Sequence, residues 1–166
     1  MRWIRPVAAT VVVGLAVAAV GAVPAAAKPS QRESCTLLRT TEVTKALEQP
    51  STGPVAGAAP LVCDWSLQPT ATRPAGAVSV FLQRGDVARQ AFALAKEFHG
   101  QDTTVVKVKG LGQRAFYAPG VGAIYVLEDS ETLLSVQGVY PTGSTVDAAG
   151  LQQALVGLAG RAERRV

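Results

Sequence analysis

The feature that most constrains this chain is its pair of cysteines, Cys35 and Cys63, which are its only two. Behind an export signal, such a pair is most simply explained by one disulfide, because oxidising compartments allow disulfides to persist. The bond would close a ring of about 28 residues, which the chain-entropy model values at roughly 3.6 kcal/mol. Two free thiols and a lipid-bearing Cys35 are the alternatives. Arg32-Glu33-Ser34 is too polar for a lipidation box and lies too far beyond the apolar leader.

The N-terminal segment has the three parts of a secretory signal. Arg2 and Arg5 form a cationic start, Val7 to Val20 is apolar, and Ala25-Ala26-Ala27 supplies an A-x-A cleavage site. We therefore predict cleavage after Ala27 and a secreted or extracytoplasmic location in the cell envelope. The alternative is a leader retained as an anchor, since it is almost long enough to cross a bilayer.

The remaining chain is the size of one ordinary domain. We predict a polar leader over 28–34, a single α+β domain over 35–160 and a basic, solvated C-terminal tail over 161–166. Between Lys28 and Gly160 the chain carries 11 basic and 11 acidic side chains. A nucleic-acid-binding domain needs a concentrated basic face, so this balance argues against nucleic acid as a partner.

Hydrophobic periodicity predicts an antiparallel α+β fold, with five to six strands and helices packed on one face of the sheet. Short connections between the later strands require antiparallel pairing. The predicted helices cover about 40–49, 86–100 and 144–160, and the predicted strands cover 62–67, 77–83, 103–109, 113–117, 123–127 and 132–140. The segment Pro50 to Pro60 is rich in Gly, Pro and Ala and is predicted to be a loop.

Two helices carry specific start signals. Asp86 is the predicted N-cap of the central helix, whose predicted buried stripe consists of Val87, Ala91, Leu94, Ala95 and Phe98. Ser144 with Asp147 gives a predicted capping box for the last helix.

No catalytic, metal or cofactor motif is found in the sequence. His99 is the only histidine, and near a helix C-terminus its expected role is to complement the helix dipole. The segment Gly110 to Ala115 matches G-x-G-x-x-G/A, but Pro119 would break the helix that a dinucleotide site requires, so a turn is predicted. Glu128, Asp129 and Glu131 lack the ligand spacing of a calcium loop and are expected to be a solvated hairpin tip.

Two functional hypotheses remain. The first is a non-enzymatic exported domain that binds a partner or small ligand through Trp65, Arg114 and Tyr117, because these residue types are enriched at interfaces. The second is an extracellular hydrolase that uses a carboxylate pair. Its candidate carboxylates are Asp64, Asp86, Asp102 and Asp147.

Several short motifs point to a family. They are Cys35-Thr36-Leu37-Leu38 followed by Thr41-Glu42-Val43, then Cys63-Asp64-Trp65, then Val108 to Tyr117 with its Gly110-Leu111-Gly112 turn. Together they resemble the actinobacterial secreted proteins and lipoproteins classed as domain of unknown function 3558. The resemblance implies a Cys35–Cys63 disulfide and an antiparallel α+β fold, with no established chemistry and no catalytic residues. This chain lacks a lipobox, so it is expected to be soluble after cleavage.

Overall fold

The structure is a computed structural model that describes residues 31–57, 59, 61–102, 104–144 and 146–166. The predicted signal sequence over 1–27 lies outside these residues. The described residues form four helices and seven strands, in this chain order: α1 Gln31–Thr36, α2 Thr40–Leu47, β1 Ser51–Ala56, β2 Val62–Leu67, β3 Gly76–Arg84, α3 Val87–Asp102, β4 Val106–Val108, β5 Arg114–Ala118, β6 Ala123–Leu127, β7 Thr132–Val139, α4 Ala148–Glu163.

The strands form one sheet in the order β1-β2-β3-β7-β6-β5-β4, and every neighbouring pair is antiparallel. The predicted α+β class is therefore confirmed. Helix α3 carries the chain from β3 in the middle of the sheet to β4 at its edge, and three hairpin connections then return it to β7 beside β3. This long crossover positions the site described below.

The sheet has seven strands rather than five to six, because β1 forms within the segment predicted to be a loop. Its pairing with β2 shifts register between Thr52 and Val55, around Gly53 and Pro54. Proline and glycine normally weaken a strand, but both are tolerated at a sheet edge and at a bulge. β1 is such an edge strand, so its composition does not prevent pairing.

Helices α1, α2 and α4 lie on one face of the sheet and enclose the main core. Alternate residues of β2 and β3 point towards them, as period-two patterning predicts. The fully buried side chains of this layer include Trp65, Leu67, Val78, Val80, Leu82, Leu155 and Leu158.

Helix α3 packs on the opposite face, so the prediction that helices cover only one face is wrong for α3. Ala88 and Phe92 are its buried residues, and they contact Phe116 and Leu133 of the sheet. The predicted buried stripe was also wrong in part: Ala91 and Ala95 are partly buried, but the three large residues of that stripe are exposed. They are Val87, Leu94 and Phe98, at 46%, 57% and 65%. Because α3 carries two overlapping apolar stripes, periodicity alone does not decide which one faces the sheet.

The disulfide between Cys35 and Cys63 is confirmed, and it joins α1 to β2. Glu33 of α1 also pairs with Arg84 of β3, with a shortest N–O distance of 2.6 Å. Residues 31–34, predicted to be a polar leader, therefore belong to a helix fastened to the sheet.

The C-terminal residues are not a separate solvated tail, because α4 continues to Glu163 and Arg165 is docked. Both terminal nitrogens of Arg165 donate to the Glu42 carboxylate, at 2.7 and 2.6 Å. These charge-assisted bonds hold the pKa of Glu42 at about 2, well below its usual 4.5. The ion pair joins the last residues of the chain to α2.

Helix α4 begins one residue after Asp147, whose carboxylate accepts hydrogen bonds from the backbone N–H groups of Ala149 and Gly150. Asp147 is thus the N-cap, whereas Ser144 bonds the carbonyl of Pro141 instead of forming the predicted capping box. Of the helices that the structure describes, none combines the length and the apolar character needed to cross a membrane.

Candidate functional site

The three residues predicted to form a binding surface do not share one. Trp65 is fully buried and Tyr117 is 3% exposed, and both lie in the core beneath α1, α2 and α4. Burial also raises the pKa of the Tyr117 hydroxyl above its ordinary value. Arg114 is exposed on the other face of β5, because residues three apart in a strand point to opposite sides. Only Arg114 remains available to a ligand.

Arg114 lies in the wall of a large cleft between α3 and the β4–β5 edge of the sheet. The cleft has a volume of about 1010 Å³, and pockets for small molecules usually measure about 300–1,000 Å³. Its lining comes from α3, from β4, from the β4–β5 turn and from the start of β5. These residues are Phe92, Ala93, Lys96, Glu97, Gly100, Gln101, Val105 and the run from Lys107 to Phe116.

The cleft follows from the path of the crossover. Helix α3 packs over β5, β6 and β7 through Phe92 and Ala88, while β4 lies one strand further out. On the flank of α3 that faces β4, the small residues Ala93 and Gly100 leave space. A Cβ atom added at Gly100 would meet no atom of the described residues within 4 Å.

The β4–β5 turn forms the far wall, and it is a turn as predicted rather than the start of a helix. Leu111 anchors it in the core, where its Cδ2 lies 3.2 Å from the position of a Cβ on Gly160 of α4. The Gly112 N–H donates to Oε1 of Glu163 at 2.8 Å. One side of the turn is therefore fixed to α4 and the other side faces the cleft.

Gly112 is required at its position by two independent constraints. Its φ is +46°, and a Cβ there would lie 2.6 Å from the carbonyl oxygen of Leu127. Gly110 has a φ of +79° but open space around the corresponding position. Gly110 therefore bears only the cost of a left-handed conformation, whereas Gly112 also bears a clash with backbone.

We predict that Gly112→Ala lowers the free energy of unfolding more than Gly110→Ala does. The conformational cost common to both is roughly 1–2 kcal/mol, and the Leu127 clash adds to it only at Gly112. Urea unfolding of both variants measures the difference. Equal destabilisation by the two substitutions would show that the turn is not held against β6.

A row of aromatic rings runs beneath α3 from the floor of the cleft. The Arg114 guanidinium carbon lies 5.4 Å from the centroid of the Phe92 ring, which meets Phe116 edge-on at 5.2 Å. Phe116 stacks on Tyr125 at 4.9 Å, and the Tyr125 hydroxyl lies 2.9 Å from Nε2 of His99. The row fixes the floor of the cleft and the stem of Arg114.

His99 lies in the last turn of α3, as predicted, and its imidazole forms a hydrogen bond with the Tyr125 hydroxyl. Burial raises the pKa of the Tyr125 hydroxyl. Among the residues that the structure describes, no group of three His, Cys, Asp or Glu side chains is arranged to hold a metal ion.

Positive charge is concentrated in the cleft. Lys96, Lys107, Lys109 and Arg114 line it, and Glu97 is the one acidic residue among the described side chains of the lining. Elsewhere in the described chain, Arg73, Arg84 and Arg165 are paired with glutamates. None of the four cleft cations forms an ion pair with another described residue. The balanced charge of the sequence therefore conceals a local excess of three positive charges.

The structure accounts for three of the four candidate carboxylates of the hydrolase hypothesis: two make structural hydrogen bonds and one is exposed to solvent. Asp64 accepts a hydrogen bond of 2.6 Å from Ser79, and Asp147 caps α4. Asp86 is exposed just before α3, and the side chain of Asp102 lies outside the described part of the chain. Asp64, Asp86 and Asp147 do not line the cleft.

A carboxyl pair that the sequence did not reveal lies behind the turn. Burial and the nearby carboxylate of Glu163 raise the pKa of Glu128 above 4.5, with Asp129 adding to the effect. Neither glutamate belongs to the cleft lining. Their position beside Gly112 indicates a brace for the turn rather than a reaction centre.

The raised pKa of Glu128 predicts a loss of stability as the solution becomes less acidic. The folded state holds this proton more tightly than the unfolded state, so the free energy of unfolding falls as pH rises from about 4.5 through the folded pKa. We expect Glu128→Gln, which keeps the uncharged form, to flatten this part of the profile. Thermal melting of both proteins between pH 4.5 and 8 is the test. Parallel profiles would contradict the prediction. Glu42 has a lowered pKa, so its contribution to the free energy of unfolding is lost in a separate range, as the pH falls below 4.5 towards about 2.

Comparison with known proteins gives no relative for this chain. No protein-family model, no curated protein and no solved structure matches it.

Proposed function

We propose that this protein is an exported, non-enzymatic domain that binds a small ligand in the cleft between α3 and the β4–β5 edge. The observation that carries the proposal is the cleft itself, with a volume of about 1010 Å³ and four unpaired cations among its described lining residues. A concave site with a mostly apolar floor and a few directed polar groups is the usual form of a small-molecule site.

The disulfide supports action outside the cytoplasm, because such bonds are rare in reducing compartments. The signal sequence predicted over 1–27 agrees with this location. We also propose kinship with the actinobacterial family whose motifs the chain resembles, a resemblance that implies a bond between Cys35 and Cys63. Intact-mass measurement of the exported protein tests the location: we expect Met1 to Ala27 to be absent, together with the two thiol hydrogens. A retained leader or two free thiols would contradict it.

The alternative of an extracellular hydrolase has less support. Catalytic carboxylates must face the bound substrate, and of the side chains that the structure describes, Glu97 is the one carboxylate in the cleft lining. The paired glutamates, Glu128 and Glu163, lie behind the turn. A binding role requires none of these three carboxylates.

Filling the cleft tests the proposed function. Gly100→Trp places an indole in open space on the cleft side of α3. Leu94→Trp, on the exposed opposite flank of the same helix, is the matched control. Each oxidised protein is mixed with a small-molecule extract of the producing organism's envelope and medium, and native mass spectrometry detects retained compounds.

We expect the wild type and Leu94→Trp to retain a common compound that Gly100→Trp loses. The proposal fails if all three proteins retain the same compounds, or if the wild type retains none. Thermal melting confirms that both variants are folded before the comparison is made.

A further inference from the structure

We infer that the ligand of this cleft is an amphiphilic anion: a carboxylate, sulfate or phosphate group attached to an apolar ring or chain. The inference rests on the proposed function and specifies the chemical class of the ligand. The volume of the cleft alone does not determine this class, because a neutral apolar molecule would also fit.

The positive charge of the cleft walls favours a ligand with an anionic group. Lys107 and Lys109 come from β4 and the turn, Lys96 comes from α3, and Arg114 comes from β5. Four cations that converge from four elements repel one another, and no described carboxylate is paired with them. A bound anion relieves this repulsion and accepts charge-assisted hydrogen bonds, which are about twice as strong as neutral ones.

Arg114 is the best placed of the four. Its guanidinium lies over the Phe92 ring, with 5.4 Å between the guanidinium carbon and the ring centroid. Stacking on an aromatic ring restricts the side chain while leaving the edge of the guanidinium free to donate. A planar carboxylate or the oxygens of a sulfate or phosphate match that edge in a bidentate arrangement.

The apolar part follows from the rest of the lining. Val105 is half-buried on the strand side, and Ala93 and Gly100 are exposed on the helix side. Phe92 and Phe116 lie in the floor, with 4% and 2% of their surface exposed. An inorganic anion would leave the exposed parts of Ala93 and Val105 in contact with water, whereas an attached ring or chain would cover them.

The size and placement of the charge favour a small anion over a nucleic acid. A nucleic acid is recognised by a basic track that follows many phosphates. Here the unpaired cations converge on one cleft, in a chain whose 28–160 region has equal numbers of acidic and basic residues.

Two dyes with the same aromatic rings distinguish the contribution of the anionic group to binding from that of the apolar rings. 8-Anilinonaphthalene-1-sulfonate carries a sulfonate, and N-phenyl-1-naphthylamine lacks it. Each is titrated into the oxidised full-length mature protein and followed by fluorescence. We expect the sulfonate dye to bind at least about tenfold more tightly, the effect of one charge-assisted hydrogen bond.

Variants assign the preference to the cleft. We expect Arg114→Gln to weaken binding of the sulfonate dye about tenfold and to change binding of the neutral dye less than about twofold. Arg89→Gln, an exposed arginine of α3 outside the cleft, is the charge-matched control and should change neither. The double variant Leu94→Ser/Phe98→Ser removes the exposed apolar stripe of α3 and should also leave dye binding unchanged.

The inference is overturned if both dyes bind equally well and Arg114→Gln has no effect. It is also overturned if the Leu94→Ser/Phe98→Ser variant abolishes binding, since the dye then occupies the stripe. A different result would contradict the proposed function itself. In that case Gly100→Trp would leave the binding of both dyes unchanged, which would show that neither dye occupies the cleft. Adding benzoate or phenyl phosphate as competitors distinguishes a carboxylate-selective cleft from a phosphate-selective one.

Discussion

Reduction of the Cys35–Cys63 disulfide is expected to lower the free energy of unfolding by about 3–4 kcal/mol, because the unfolded chain then gains the entropy of an open ring of ~28 residues. Domains of this size have a total stability of about 5–15 kcal/mol. The ring encloses α2 and β1, and β1 is an edge strand interrupted by a bulge. We expect these two elements to lose their protection first.

The measurement compares guanidinium unfolding of the oxidised protein with that of the Cys35→Ala/Cys63→Ala variant. Alanine suits the control because Cys63 is fully buried and a serine hydroxyl there would need a partner. Amide hydrogen exchange then locates the weakened region. A loss below about 1 kcal/mol, smaller than the entropic model allows, would contradict the prediction and would mean that the unfolded chain keeps the two ends of the ring close together without the disulfide.

Replacement of Trp65 by alanine is expected to cost about 3–5 kcal/mol, the usual range for removing a large aromatic side chain from a core. Trp65 is fully buried in the layer beneath α1, α2 and α4. The substitution should leave the affinity of the cleft unchanged wherever the protein stays folded, because Trp65 lies on the other face of the sheet.

Trp65→Phe is the informative control. The indole Nε1 is buried and has no hydrogen-bond partner among the described residues, so phenylalanine loses no hydrogen bond. Its cost should be confined to the smaller volume, roughly 1–2 kcal/mol. If Trp65→Ala kept full stability but weakened ligand binding, the residue would have to be exposed, and its assignment to the core would be wrong.

Period-two patterning predicted most of the sheet correctly. The strands over 62–67, 113–117 and 123–127 lie where the alternation of apolar and polar residues placed them, within about a residue. β1 could not be predicted, because the signal of Gly53 and Pro54 outweighs any alternation. Only the pairing with β2 reveals that the proline occupies a bulge at an edge.

The rotation of α3 could not be predicted either. The stripe at 87, 91, 94 and 98 and the stripe at 88, 92, 95 and 99 are equally regular at helical spacing. The sheet face beneath α3 selects the second, since Phe92 packs against Phe116. That choice depends on contacts between distant segments, which a single sequence does not supply.

The sequence predicted part of the candidate site. Arg114 was identified from its glycine-flanked segment and lines the cleft, whereas Trp65 and Tyr117 were chosen by residue type and are core residues. The odd spacing between Arg114 and Tyr117 was a signal that they face opposite sides of β5. The sequence does not single out Lys96, Lys107 and Lys109, because its basic and acidic residues balance and these lysines come together only through the crossover of α3 to β4.

The most direct test of the cleft as the binding site is a two-dimensional amide NMR titration of the oxidised, isotopically labelled protein with 8-anilinonaphthalene-1-sulfonate. We predict that the largest shifts cluster at Ala93, Gly100, Lys107, Gly110 and Arg114. Shifts confined to Val87, Leu94 and Phe98 on the other flank of α3, or shifts spread evenly over the protein, would contradict the account.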